Sequence, residues 1–161
     1  ACLVGSEMCI RDSGGEAPAI HYVGPSGWQI DAPAKMTPTA DGGAVYQGRT
    51  EELSVTPLPG SSDPAAVAAR ESATSTGPGY IVVSGPHPMS VNGKPGVEYE
   101  FRGPGPNSAV TGKPTVLRAV RLYLGRPAGG VFRVEYGSTQ SASNWDPQGA
   151  SDIVTTFRPG P

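Results

Sequence analysis

Apolar residues recur along this chain mostly at every second position, and only two stretches carry them at helical spacing. Ile20-His21-Tyr22-Val23 reads as a short strand closed by Gly24-Pro25-Ser26-Gly27, and Trp28-Gln29-Ile30-Asp31 alternates as a second strand ending at Pro33. Ala44–Gln47 and Leu53–Thr56 form a candidate hairpin, and Tyr80–Val83 a further strand. Asn92-Gly93 follows Met89-Ser90-Val91 and is a strong hairpin signal, because both central residues of a type I′ turn need positive φ. After it, Val97, Tyr99 and Phe101 alternate with Glu98, Glu100 and Arg102, a strand with one apolar and one wet face. Val116–Leu124 is a long strand, with Val116, Arg118, Val120, Leu122 and Leu124 on one face and Leu117, Ala119, Arg121 and Tyr123 on the other. Phe132, Val134 and Tyr136 alternate with Arg133 and Glu135 in its partner.

Two helices interrupt this pattern. Asp63-Pro64 supplies a cap and a first-turn proline for a helix over about 63–75, whose thin apolar face is Val67 with alanines. Ser143-Asn144-Trp145-Asp146 has capping-box spacing and opens a second helix over about 145–157. That helix sets Trp145, Ile153 and Phe157 on one face. The expectation is an α+β fold: an antiparallel sheet of about six to seven strands with both helices packed on it, forming a single domain over 19–159 after a 14–18 linker.

Composition changes the picture in two ways. Gly and Pro are abundant, at 23 and 18 residues of 161, a level at which disorder must be weighed. The formal net charge of −2 and the periodic apolar faces argue instead for turns between short strands. The same charge, with arginines scattered singly, gives none of the basic excess of a nucleic-acid binder, and no apolar run has the length of a membrane span.

Residues 1–13 (Ala1-Cys2-Leu3-Val4-Gly5-Ser6-Glu7-Met8-Cys9-Ile10-Arg11-Asp12-Ser13) resemble translated sequencing-adaptor read-through. They are expected to stand outside the fold; the tail of a signal peptide is the alternative. Cys2 and Cys9 are the only cysteines, so from Gly14 onward neither a disulfide scaffold nor a thiolate zinc site is expected.

Candidate chemistry is sparse. Gly24-Pro25-Ser26-Gly27-Trp28 fails the nucleophile-elbow pattern at its last position, and only His21 and His87 could act as a base. His87 lies between two prolines and reads as a solvated loop residue. Gly112-Lys113-Pro114-Thr115 lacks the first glycine of a P-loop, since position 107 is Asn. Glu98 and Glu100 share a strand face and could couple as paired carboxylates, but they are expected to be solvated and paired with Arg118, Arg121 or Arg133. No catalytic residue, metal site or cofactor is assigned. The aromatic residues Trp28, Tyr46, Tyr80, Tyr99, Tyr123 and Tyr136 could line a ligand pocket, and Trp28, Tyr99 and Tyr123 are the assigned ligand-binding candidates.

The order of features is similar to a known family. Gly27-Trp28 with Ile30 and Pro33, the helix launched by Asp63-Pro64, the run Val91-Asn92-Gly93-Lys94-Pro95-Gly96-Val97-Glu98-Tyr99, and the closing Ile153-Val154-x-x-Phe157-Arg158-Pro159 resemble the PsbP-like domains of actinobacterial cell-envelope proteins. These include LpqN-type lipoproteins and the extracellular domains of receptor kinases. The resemblance spans about residues 19–159. It implies a sheet flanked by helices, used for binding, sensing or assembly outside the cytoplasm, with membrane attachment through an N-terminal anchor missing from this sequence. It implies no catalytic residues; the partner would be a protein or a small apolar ligand, with no nucleic acid. The competing expectation is a small enzyme or lipid carrier with an aromatic pocket lined by Trp28, Tyr99 and Tyr123.

Overall fold

The computed structural model describes residues 19–74 and 78–161, so the expectations for residues 1–13 and 14–18 lie outside the described residues. The architecture is α+β. Strands β1 (Ile20–Val23) and β2 (Gln29–Ala32) form a separate hairpin. The main sheet comprises β3 (Thr37–Pro38), β4 (Ala44–Gln47), β5 (Glu51–Leu58), β6 (Ile81–Val91), β7 (Lys94–Pro104), β8 (Val116–Gly125) and β9 (Val131–Ser138). Its seven strands run antiparallel in the order β3-β4-β5-β9-β8-β7-β6. Helix α1 (Pro64–Thr74) lies in the connection that carries the chain from β5 to the far edge at β6, and helix α2 (Pro147–Val154) follows β9.

Both faces of the sheet are covered, and this corrects the expected wet face of β7. On one face Val97, Tyr99 and Phe101 of β7 join Ala119 and Tyr123 of β8 beneath Val67 and Ala68 of α1. On the other, Val120, Leu122, Leu124, Phe132, Val134, Leu53 and Val55 pack beneath Ala150 and Val154 of α2, Trp28 and Ile30 of the hairpin, and Phe157. Glu98 points into this second layer and is only 8% exposed. The alternation along β7 was therefore a sign of two different interiors rather than of an interior and water.

The hairpin is pinned by Trp28. Its ring is fully buried, its Nε1–H donates to the Gly42 carbonyl at 3.0 Å, and Phe132 and Phe157 pack against it. Reciprocal backbone hydrogen bonds between Gln29 and Arg158, at 2.8 and 2.9 Å, tie β2 to the chain beyond α2. Asn92 and Gly93 take φ of 51° and 79°, as a type I′ turn requires. Asp63 caps α1 through the Ala65 N–H at 3.0 Å.

Two element boundaries differ from expectation. Tyr80–Val83 and Met89–Val91 are not separate strands: Ile81–Val91 is continuous, with register irregularities between Val82 and His87, and His87 pairs opposite Glu98. Pro86 and Pro88 are tolerated because β6 is an edge strand, with no neighbour to receive the N–H groups that proline lacks. His87 is exposed, but on a strand rather than in a loop. The second helix is shorter than 145–157. Asp146 is itself the cap, accepting from the Gly149 N–H at 3.0 Å, and Pro147 takes the first turn. Ser143 belongs to a preceding single turn, so Trp145 and Phe157 flank the helix rather than share its face.

Candidate functional site

The three assigned ligand-binding residues do not converge. Trp28 is on the α2 side of the sheet, and Tyr99 and Tyr123 are on the α1 side; all three side chains are fully buried. Tyr99 and Tyr123 stack with ring centroids 5.9 Å apart. Their hydroxyls lie 3.2 Å from each other, Arg121 donates to the Tyr99 oxygen at 3.0 Å, and Tyr123 donates to Glu71 of α1 at 2.7 Å. Glu71 also accepts from Arg133 at 2.9 Å. Burial works to raise the Glu71 pKa, but the hydrogen bonds from Tyr123 and Arg133 and the charges of Arg133 and Arg121 outweigh it and hold the carboxyl below its usual range. Arg121 is paired with Glu135. This network fixes α1 on the sheet, although Arg133 Nε is buried without a hydrogen-bond partner among the described residues, and Tyr99 and Tyr123 are packed against each other.

Glu98 and Glu100 are likewise accounted for, and not by the arginines. The Ser151 hydroxyl donates to Glu98 at 2.8 Å, and the Trp145 indole donates to Glu100 at 2.7 Å. Burial pushes the Glu98 carboxyl up, partly offset by the Ser151 bond. Both carboxylates therefore serve to dock α2 and the segment leading into it. The Ser26 hydroxyl bonds the carbonyl of Pro25 within its own turn. His21 bonds Asp31 at 2.7 Å and Gln29 at 2.9 Å on an exposed edge. No described residues form a group of three or more histidine, cysteine or carboxylate side chains that could hold a metal ion.

The open space lies elsewhere, in a groove of about 690 Å³ between α2, β2 and the β4–β5–β9 end of the sheet. Antiparallel register builds its floor. Tyr46 and Tyr136 both sit opposite Leu53 from either side, so the two phenols flank one apolar side chain on the α2 face. Trp145 stands at the wall, oriented by its bond to Glu100. Four carboxylates line the space, Asp31, Glu51, Asp146 and Asp152, and among the described residues none of the lining side chains is a lysine or arginine. Burial, the charge of Glu51 and the neighbouring Tyr46 push the Tyr136 phenol up to about 12. Tyr136 thus remains a neutral hydrogen-bond donor at any physiological pH.

Tyr46 and Tyr136 were among the aromatic candidates in the sequence. Trp145 was assigned to a packed helix face, and the four carboxylates carried no signal. The alternation of Tyr136 against Arg133 and Glu135 fixes its face, but only the register with β5 and β4 shows that Tyr46 shares it. No protein-family model matches the chain, and no curated protein is significantly similar to it.

Proposed function

We propose that this domain is a non-catalytic binding module whose ligand seat is the groove beside α2. The observation that carries this reading is the pairing of aromatic walls with unbalanced negative charge. Tyr46, Tyr136 and Trp145 meet Asp31, Glu51, Asp146 and Asp152 around one concave space. Such a site suits a cationic group on an apolar body, a quaternary ammonium or a basic side chain, held by Coulomb attraction and by aromatic faces. The resemblance to PsbP-like envelope domains supports an extracytoplasmic setting and a membrane tether in the full-length protein. The aromatic carrier or enzyme built on Trp28, Tyr99 and Tyr123 is not carried forward, since those rings are packed on opposite sides of the sheet.

The test is a backbone amide NMR titration with tetramethylammonium chloride against sodium chloride at matched ionic strength. Saturable shifts confined to residues around Tyr46, Glu51, Tyr136 and Trp145 are expected. Glu51→Gln or Tyr136→Ala is expected to weaken binding by about threefold to tenfold, as fits a contact of roughly 0.5–1 kcal/mol or somewhat more. Shifts scattered over the surface, or equal for the two salts, would refute the assignment. Fractionation of the full-length product tests the tether separately.

A further inference from the structure

The α2 face of the sheet continues past the helix, and its last row but one carries two arginines side by side. In register, Ile81 of β6 lies opposite Arg102 of β7, and Arg102 lies opposite Arg118 of β8. Directly opposed residues in an antiparallel pair have Cβ atoms about 4.5–5.5 Å apart, and like charges there destabilise the sheet. The expected remedy is a carboxylate close by, and none serves both guanidinium groups. Glu100, one step along the same face of β7, is held by the Trp145 indole. Glu51 is two strands away from Arg118, at roughly 10 Å, and lines the acidic groove. Arg118 reaches only the Gln140 carbonyl, at 3.4 Å. Arg102 is exposed, and its side chain has no hydrogen-bond or ion-pair partner among the described residues.

Both arginines line one shallow pocket of about 310 Å³. Gly79, Gly103, Pro104 and Val116 complete it, so its remaining wall is glycine backbone and apolar side chain. Val116 is 43% exposed, and neighbouring Ile81 is 50% exposed. We infer that this pocket binds an oxyanion carried on an apolar stem, the two arginines clamping the phosphate or carboxylate and Val116 and Ile81 covering the first carbons of the stem. Arginine suits the task because its planar fork donates to two oxygens at once. An anion between the pair would also offset the repulsion of two opposed arginines. The pocket shares no lining residue with the acidic groove, so the two sites differ in ligand charge and stand or fall separately.

The experiment titrates the protein with monomeric decyl phosphate, with inorganic phosphate and with decyl trimethylammonium. Amide NMR is read at residues 79–81, 102–104 and 116–118, together with thermal denaturation. Decyl phosphate is expected to shift those amides saturably, inorganic phosphate the same amides about tenfold more weakly, and decyl trimethylammonium none of them. Arg102→Ala and Arg118→Ala are each expected to weaken decyl phosphate binding by roughly tenfold or more, the loss of a charged hydrogen bond. Arg102→Lys is expected to restore only part of it. Without ligand, Arg102→Ala is expected to melt no lower than the parent chain, and phosphate is expected to raise the parent's melting temperature but not the variant's. Unshifted amides at this pocket, or affinity unchanged in both alanine variants, would overturn the anion site. Equal affinity for inorganic and decyl phosphate would overturn the apolar stem.

Discussion

Gly24 carries no side chain, yet the space it leaves decides whether Trp28 can be buried. A Cβ built on Gly24 would stand 2.0 Å from Trp28 Cε2, far inside van der Waals contact, and the indole is locked by its bond to the Gly42 carbonyl. Gly24→Ala must therefore push the ring off Phe132 and Phe157 or bend the turn. A loss of about 1–3 kcal/mol is expected, the usual penalty of overpacking, measured by urea denaturation. A variant as stable as the parent would show that the hairpin can shift at little cost. On the other face, Tyr123→Phe keeps the stacked ring but withdraws the donor from Glu71. The carboxylate retains Arg133, so a moderate cost of about 1–2 kcal/mol is expected rather than collapse. The same denaturation series reads it, and a loss no larger than about 0.5 kcal/mol would mean that Arg133 alone satisfies Glu71.

At the scale of elements, α2 with its flanks joins three parts of the core beneath it. Ala150, Val154 and Phe157 fill the layer over β8 and β9, Trp145 and Ser151 anchor Glu100 and Glu98, and Arg158 bonds β2. Removing residues 145–161 would take the partners from buried Glu98 and half-buried Glu100 and expose Trp28, so the truncated chain is expected to lose its cooperative thermal transition. Retention of a sharp transition in calorimetry would contradict this. Much of the element pattern was legible in the chain, because alternation and capping residues are local signals: β4, the Asn92-Gly93 turn and α1 lie where the residues place them. β6 was not, because two prolines read as a break unless the strand is known to be an edge. The end of α2 was misread because Asp146 can be the last residue of a capping box or the cap itself, and only the backbone decides. The site was legible in part. Tyr46 and Tyr136 are visible as aromatic residues, but which side of a sheet a strand shows to which helix depends on strand order. That order brought Tyr46 and Tyr136 together and put Trp28 and Tyr99 apart.

For the molecule as a whole, the buried carboxylates give folding stability a pH dependence of unusual sign. Glu52 shares the α1 face with Glu135, one register step away on β9, and Glu135 is paired with Arg121. Burial and a hydrogen bond to Glu135, with its charge, push the Glu52 carboxyl up to about 7, against an ordinary value of 4.5; the charge of Arg121 works the other way. Below pH 4.5 folded and unfolded chains both hold this proton. Between there and about pH 7 the folded chain binds more protons than the unfolded one, so stability falls as pH rises through that window. Glu98, also raised, adds in the same direction. So does exposed His21, whose pKa is raised by its hydrogen bond to Asp31; its contribution is present below its unfolded value and lost above the folded one. Glu71 opposes them at lower pH: its lowered pKa contributes stability above its unfolded value that is lost as pH falls through the folded one. The melting temperature is therefore expected to pass through a maximum on the mildly acidic side and decline toward pH 8. Glu52→Gln separates the causes, because the amide can still donate to Glu135 but cannot ionise. It is expected to melt higher than the parent at pH 8, nearly equal to it at pH 5, and with a flatter slope between. A parent profile rising from pH 5 to 8, or a Glu52→Gln profile parallel to the parent's, would show that Glu52 reaches water and titrates as an ordinary carboxylate.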